Sequence, residues 1–346
     1  MIQFQRDVPL RSHNSFGVAA TALRYAHVRT EDELSEWCVR HGSEAPLLLG
    51  GGSNVLLTRD PVAPVFDLEP RGIQVIRDDG DTVLLEAMAG EPWHGLVQWT
   101  LAQGLCGLEN LSLIPGRVGA APVQNIGAYG VEMASRCESV AAIDLHTGEP
   151  VQFGAAECNF GYRESRFKHA LREHGHDRYA ITRVRFRLSR RFQPHLDYGD
   201  IKTELQARRI SAPSAQDVAR AVIAIRERKL PDPAVIGNAG SFFKNPVVPN
   251  VIADALSERF PGMPRFAVAG ASHQSKLAAG WLIDRAGWKG RRLREDSAAA
   301  VHAQHALVLV NHGGASGADI LELANAIADD VARQFGVALE VEPRIV

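Results

Sequence analysis

Leu47-Leu48-Leu49-Gly50-Gly51-Gly52-Ser53-Asn54-Val55-Leu56-Leu57 is the stretch on which the fold turns. Two short apolar runs flank three glycines, and each run has the length of a buried strand. The glycines therefore join a strand to a strand. A Rossmann turn or a P-loop needs a strand followed by a helix, with G-x-G-x-x-G or a lysine-ended glycine loop, and neither pattern stands here. Glycines still let the chain turn sharply and bring successive N–H groups near an anion. Ser53 and Asn54 add side-chain donors. The stretch reads either as a tight turn or as a diphosphate cradle.

Working outward, strand-like and helix-like periods alternate, which favours a mixed α and β architecture. Thr30-Glu31-Asp32-Glu33 is a capping-box pattern, followed by Leu34, Trp37 and Cys38 on one helical face and Gly42 as a stop. Residues 82–88 read as a strand. Pro92 suits the first turn of a helix, with Trp93, Leu96, Val97 and Leu101 inward and Gly104 at its end. Residues 140–144 and 151–153 read as a hairpin around Thr147-Gly148. In 181–188, Val184, Phe186 and Leu188 alternate with Arg183, Arg185 and Arg187, so one face is buried and the arginine row reads as solvated. Near residue 210 the chain becomes mostly helical. Ser214 caps a helix with Val218, Ala221, Val222 and Ile225 inward, stopped by Pro231 and Pro233. Helices at 251–260 and 277–286, a strand at 306–310, a helix capped by Ser316 and a short strand at 337–341 complete the pattern.

The 346 residues suit two to three domains, and Lys+Arg 38 against Asp+Glu 40 gives a net charge of −2. That balance argues against a broad nucleic-acid or anionic-lipid footprint. The N-terminus lacks the apolar core of a signal peptide. No uncharged run approaches the roughly 20 residues of a membrane helix. A cytoplasmic protein is expected. Cys38, Cys106, Cys137 and Cys158 form no C-x-x-C and no zinc spacing, so they read as buried small hydrophobes, and no metal site is expected.

Four further stretches carry groups that do chemistry. Residues 111–130 are rich in Gly, Pro and small residues and form a long loop, the kind that tends to be functional. Within it Gln124 and Asn125 can hydrogen-bond a heteroaromatic edge. Tyr162-Arg163 after Gly161 can hold a carboxylate or phosphate. Ser241 lies in Gly237-Asn238-Ala239-Gly240-Ser241-Phe242-Phe243-Lys244-Asn245-Pro246, which is not a G-x-S-x-G elbow. A hydroxyl is a weak acid, suited to protonating a strongly basic carbanion or enolate. Glu340, Glu342 and Arg344 would share one face if they lay on a strand.

Taken together, these motifs resemble the UDP-N-acetylenolpyruvoylglucosamine reductase family from Asn14-Ser15-Phe16-Gly17 to Arg344. The motifs at 50–54, 114–130, 161–168, 229–233, 237–246 and 276–284 occur in the family's order. Residues 161–168 and Tyr198-Gly199-Asp200 look like the type I branch, in which a tyrosine loop covers the substrate. The resemblance implies an α+β fold: a vanillyl-alcohol-oxidase-type FAD-binding fold of two α+β subdomains, at 1–70 and 71–212, plus a C-terminal α/β substrate-binding domain at 213–346. Its last segment would return to the flavin site. It implies that NADPH reduces FAD, and that the enolpyruvyl group of UDP-N-acetylglucosamine-enolpyruvate is then reduced to give UDP-N-acetylmuramate, a peptidoglycan precursor. A monomer is expected.

Carried over by position, Ser241 looks like the proton donor, and Arg163 with Glu342 like the pair that handles the substrate carboxyl. Tyr162, Tyr198, Lys229, Asn245 and His305 look like substrate ligands. For FAD the resemblance points to Gly51, Gly52, Ser53, Asn54, Ile114, Pro115, Gly116, Gly119, Ala120, Gln124, Asn125, Gly127, Ala128, Tyr129, Arg226 and Arg344. Two stretches depart from the family pattern. Residues 291–297 are longer and more charged, and Pro343 follows Glu342 where a β-branched residue is usual, removing a ladder N–H. An oxygen-using flavin oxidase on this fold would often carry a histidine near the glycine loop for covalent FAD. Ser53 and Asn54 stand there instead, so non-covalent FAD is expected. A non-catalytic flavin or nucleotide-sugar binder would need neither a proton donor nor an acid pair.

Overall fold

The computed structural model describes residues 2–42, 44–268 and 270–346. The chain forms two compact units: one of residues up to Val8 with Thr21–Gly52 and Pro61–Arg228, the other of Pro9–Ala20, Ser53–Asp60 and Lys229–Val346. The division passes through the glycine stretch, between Gly52 and Ser53. It also falls at 228/229, against the expected boundary near 212/213, because the helix Ala215–Lys229 buries Val218, Val222 and Ile225 with Ile201 and Leu205 of the first unit.

The first unit has two sheets. In one, Leu47–Leu48 and Thr21–Val28 flank Val65–Leu68, both parallel to it, and Gln5–Pro9 forms the far edge. The expected helix is Glu31–His41, with Leu34, Trp37 and Cys38 buried. The capping box is only half formed there: Thr30 accepts from the Glu33 N–H, but the Glu33 carboxylate accepts from Arg29 rather than from Thr30. The other sheet is antiparallel, in the order Pro150–Gly154, Cys137–Asp144, Tyr179–Ser189, Thr82–Met88, Ile73–Asp78. Val83, Leu85, Val184, Phe186 and Leu188 of this sheet are buried with Trp93, Leu96 and Val97 of the helix Trp93–Ala102. Pro92 stands one position before the expected first turn, as the N-cap.

The arginine row of Tyr179–Ser189 is a ladder of ion pairs rather than a free solvated face. Arg185 Nε lies 2.8 Å from Glu86, Arg183 lies 3.3 Å from Glu31, and Arg187 Nη2 lies 2.5 Å from Glu138. Burial of Glu86 in the neighbouring strand explains the alternation: a buried carboxylate needs a cation across the ladder. The four cysteines are buried, and burial pushes the Cys38 and Cys158 thiols up to about 11.

The second unit has a sheet of Gly237–Ser241, Val308–Asn311 and Ala299–Val301, and a smaller one of Val247–Pro249, Gln274–Leu277 and Arg265–Ala267. Its longest helix, Gly317–Phe335, opens with the reciprocal Ser316–Asp319 capping box and buries Ile320, Leu323, Ile327 and Val331. Two expectations fail here. Leu277 ends a strand and the helix runs Ala279–Arg285. Residues 337–341 form no strand; Val341 makes one isolated bridge to Phe243, and the last strand is Arg344–Ile345. The apolar alternation Val337, Leu339, Val341 mimicked a strand, but the hydrogen-bonded register is taken up further on. The charged stretch 291–297 is held down by its own arginines: Arg294 reaches Glu322 at 2.8 Å and Arg292 donates to Ser297 O at 2.6 Å. No helix among the described residues is long and apolar enough to cross a membrane.

Candidate active site

In the first unit the site is built on the loop that follows Leu113. Gly116 packs against the glycine stretch so closely that a Cβ on Gly51 would lie 3.0 Å from Gly116 Cα. A Cβ on Gly119 would lie 2.7 Å from Ala89 Cβ. The loop is fastened by backbone bonds to 89–93: Val118 N–H to Glu91 O at 2.9 Å, Gly119 N–H to Ala89 O at 3.0 Å, and Trp93 N–H to Gly116 O at 3.0 Å. Arg117 fastens it from the other side. Its guanidinium donates to both Asp67 oxygens and, at 2.9 Å, to Leu68 O. Tyr25 donates to the same carboxylate at 3.2 Å, and burial, then the Asp67 charge, pushes the phenol pKa well up. His27 and Glu69 complete a group whose ligand atoms lie within 4.8 Å of one another with Asp67. With Asp67 engaged by Arg117 and Tyr25, this group reads as the anchor of Arg117.

Leu113, at φ +58°, donates its N–H to His94 Nδ1 at 2.9 Å and accepts from Arg226 Nε at 3.2 Å. Burial, then the Arg226 charge, lowers the His94 pKa and so favours the neutral ring, in which the Leu113 N–H selects the tautomer with an unprotonated, accepting Nδ1. Burial also lowers the Arg226 pKa, though a guanidinium stays charged.

Further along the loop, Asn125 is buried at φ +41°. Its amide donates to Glu132 and to Gly161 O, both at 2.9 Å, and its oxygen accepts from Ala134 N–H at 3.0 Å. The side chain expected to read a heteroaromatic edge is thus a structural pin. Gln124 Oε1 accepts from the buried Lys168 Nζ at 2.9 Å, and Lys168 also donates to Arg163 O at 3.2 Å. Sequence reading gave Lys168 no role. The signal lay in Ser165, whose hydroxyl accepts from Lys168 N–H and starts the unexpected helix Arg166–His174. Arg163 sits at φ +56° in a turn closed by two Gly161–Glu164 backbone bonds. It donates to Gly127 O at 2.8 Å and lies 5.4 Å from the centre of the Tyr162 ring. Tyr162, Arg163, Gln124 and Gly127 are therefore brought together.

The segment carrying Tyr198 lies over Tyr129-Gly130. A Cβ on Gly130 would meet Tyr198 Cβ at 3.2 Å, and Gly199, at φ +66°, faces the Tyr129 ring. Asn110 stitches the two stretches, donating to Tyr129 O at 3.0 Å and His195 O at 2.9 Å. Burial raises the Tyr129 pKa, so the phenol stays protonated.

The second unit holds the other expected residues: Ser53, Asn54, Lys229, Ser241, Asn245, His305, Glu342 and Arg344. Between Asn238 and Ser241 the Gly237–Ser241 strand is bulged, with Gly240 at φ +69°. The buried Asn238 holds the bulge by accepting from Gly240 N–H at 2.9 Å and donating to Pro231 O and Ile236 O. Such a bulge re-aims the next side chain, here Ser241. Phe242 and Phe243, both fully buried, fix the chain beyond it. Asn245 Oδ1 accepts from Ala279 N–H at 2.9 Å at the start of the helix Ala279–Arg285. Arg344 and Ile345 pair in parallel with Val55 and Leu56, directly after the glycine stretch. Glu340, Glu342 and Arg344 do not share one strand, since Glu342 N–H bonds Phe242 O while Arg344 N–H bonds Asn54 O. Pro343 falls between these two ladders, which explains how the missing N–H is accommodated. Burial, then the charges of Lys229, His302 and Lys289, lower the His305 pKa.

The residues present fit FAD: Gly51 packed on Gly116 and Gly119 packed on Ala89 keep side chains off both stretches, and a diphosphate and a planar ring both need backbone donors with no side chain in the way. Two family models match the chain: an FAD binding domain over residues 22–154, and the C-terminal domain of UDP-N-acetylenolpyruvoylglucosamine reductase over residues 232–346. A UDP-N-acetylenolpyruvoylglucosamine reductase of Pseudomonas fluorescens is 51% identical over 99% of both chains. One from Burkholderia ambifaria is 53% identical over 97% of this chain and 95% of its own. The crystal structure of the enzyme from Thermus caldophilus, 26% identical, superposes with a TM-score of 0.65 over 100% of this chain and 99% of the other. The α+β fold with its vanillyl-alcohol-oxidase-type FAD-binding domain is thereby shared. On these grounds the chain belongs to the UDP-N-acetylenolpyruvoylglucosamine reductase family of FAD-binding oxidoreductases.

Proposed function

We propose that this chain is an NADPH-dependent flavoenzyme of the bacterial cytoplasm that reduces the enolpyruvyl group of UDP-N-acetylglucosamine-enolpyruvate to UDP-N-acetylmuramate. The observation that carries the reading is the match to reductases of that name over nearly the full length of both chains. FAD, held non-covalently, supplies the two-electron chemistry between NADPH and the enolpyruvyl double bond. The protein's own groups do the rest. Gly51, Gly52, Ser53, Asn54, the loop from Ile114 to Tyr129, Arg226 and Arg344 hold the cofactor. Lys229 and Tyr198 bind the diphosphate, with Tyr162, Asn245 and His305 as further substrate ligands.

Addition of hydride to the β-carbon of an enolpyruvyl group leaves enolate character at the α-carbon and its carboxyl. Arg163 lowers the cost of that charge, with Glu342 as its partner in handling the carboxyl. Ser241 Oγ gives its proton to the α-carbon, which is basic enough to take one from a hydroxyl. The bulge held by Asn238 supports this role, because a proton donor must be aimed rather than merely near.

An anaerobic two-step titration tests the reading. Flavin absorbance is followed as NADPH is added, and then as UDP-N-acetylglucosamine-enolpyruvate is added without oxygen. The expected result is bleaching, with colour returning only on addition of the enolpyruvyl sugar. Return only when air is admitted would favour an oxidase, and no bound flavin would overturn the cofactor as well.

A further inference from the structure

Residues 242–244 and 340–342 pair antiparallel. Lys244 N–H donates to Glu340 O at 2.9 Å, Glu342 N–H donates to Phe242 O at 2.8 Å, and Phe243 stands opposite Val341. In an antiparallel pair, opposed residues send their side chains to one face and successive residues alternate. Lys244 and Glu340 therefore share a face with Glu342, and the Lys244 stem is one ladder step from it, within reach of a long side chain. The side chains close the ladder: Lys244 Nζ lies 2.6 Å from Glu340 Oε1. Lys244 is almost wholly buried, its side chain 7% exposed, while that of Glu340 is 56% exposed. A buried ammonium held in this way is a fixed charge, since leaving it without its carboxylate is costly.

We infer that Lys244, tied by Glu340, is a positioning residue for the reduction: it fixes the 242–342 rung and with it the placement of Ser241 and Glu342. Ser241 is the residue before Phe242, and Glu342 is the residue opposite Phe242, so one rung sets the spacing of both. This inference rests on the roles proposed above for Ser241 and Glu342. The pair could not be found from sequence, because its members are 96 residues apart.

Lys244→Met and Glu340→Gln test it in the flavin-loaded full-length protein. Lys244→Met keeps the volume of the buried stem and removes the charge. Glu340→Gln removes the carboxylate charge but keeps an amide oxygen that can still accept from the Lys244 ammonium, and thermal unfolding of both variants checks that they fold. Two readouts are taken. The first is hydrogen exchange across 340–346 without substrate, expected to quicken at least about tenfold in Lys244→Met, with the Glu342 amide the most affected. The second is turnover, expected to fall about tenfold in kcat with KM and the rate of flavin reduction by NADPH held within twofold. Lys244→Arg should restore most of the loss, and Glu340→Gln should show a smaller change in the same direction. Wild-type exchange in both variants overturns the tie whatever the substrate proves to be. Faster exchange with unchanged kcat overturns the positioning role. A wild-type enzyme that reduces its flavin but is not reoxidised by the enolpyruvyl sugar contradicts the proposed function instead, and leaves the exchange result to decide the tie.

Discussion

The loop 114–130 and the paired segments 242–244 and 340–342 hold site residues by opposite means. The loop works by leaving side chains out. Gly51 on Gly116 and Gly119 on Ala89 approach so closely that a Cβ on either glycine would collide. Around the glycines its shape is then set by backbone bonds to 89–93 and by the grip of Arg117 on Asp67, with Asn125 pinning the loop further along. The paired segments work by putting side chains in: two buried phenylalanines and an ion pair fix a ladder only three residues long. A surface that must lie flat against a cofactor can be built from glycine, whereas a group that must be aimed needs packing on several sides. The cofactor loop should therefore fail through affinity and the ladder through rate.

That difference orders the predictions. Ser241→Ala should have the largest effect, lowering steady-state turnover about 10²- to 10⁴-fold, the range of a lost general acid, with flavin content unchanged by absorbance. Gly51→Val should act on the other region alone. Forcing backbone apart costs about 1–3 kcal/mol, so FAD affinity of the apoprotein should weaken roughly 10- to 100-fold in a fluorescence titration. A variant that bound FAD normally and turned over slowly would break the comparison. Asp67→Asn sharpens it. Arg117 is partly exposed and keeps its bond to Leu68 O, so the loss should be about 1 kcal/mol, read as a five- to tenfold weaker FAD affinity.

Asp217 marks the small end of the scale. Ser214 and Asp217 form a reciprocal cap on the helix Ala215–Lys229: Asp217 accepts from Ser214 N–H at 2.9 Å and Ser214 Oγ accepts from Asp217 N–H at 3.2 Å. Hydrogen bonds from Ser214, then Arg220, hold the Asp217 carboxyl down at about 2. A carboxyl lowered on folding stabilises above its unfolded pKa of about 3.9, and that stability is lost as pH falls toward the folded value. Asp217→Ala should cost about 1 kcal/mol near neutral pH in urea unfolding, with the difference from wild type shrinking between about pH 4 and 2. Neither FAD affinity nor turnover should move.

The same contrast explains what could be read from the sequence. The glycine and proline motifs were legible because the backbone conformations they permit are local properties. The strand 82–88, the helix after Ser316 and the inward faces of Leu34, Trp37, Val184 and Phe186 were legible from periodicity. The side-chain pairs were not. Asn125 looked like a recognition residue, but its amide is spent on Glu132 and Gly161. The arginines of Tyr179–Ser189 looked solvated because Glu31, Glu86 and Glu138 are distant in sequence. The end of the chain misled for a related reason: alternation at 337–341 signals a strand, yet the hydrogen-bonding edge is offered further on, by Val55 and Leu56.

The most direct test of the account is a stopped-flow comparison of wild type and Ser241→Ala, taking the two half-reactions one at a time. The account predicts that NADPH bleaches the flavin of both proteins at rates within twofold. On mixing with UDP-N-acetylglucosamine-enolpyruvate, colour should return at least about a hundredfold more slowly in the variant. Equal slowing of both half-reactions, or reoxidation of the variant at the wild-type rate, would contradict the assignment of Ser241 as the proton donor.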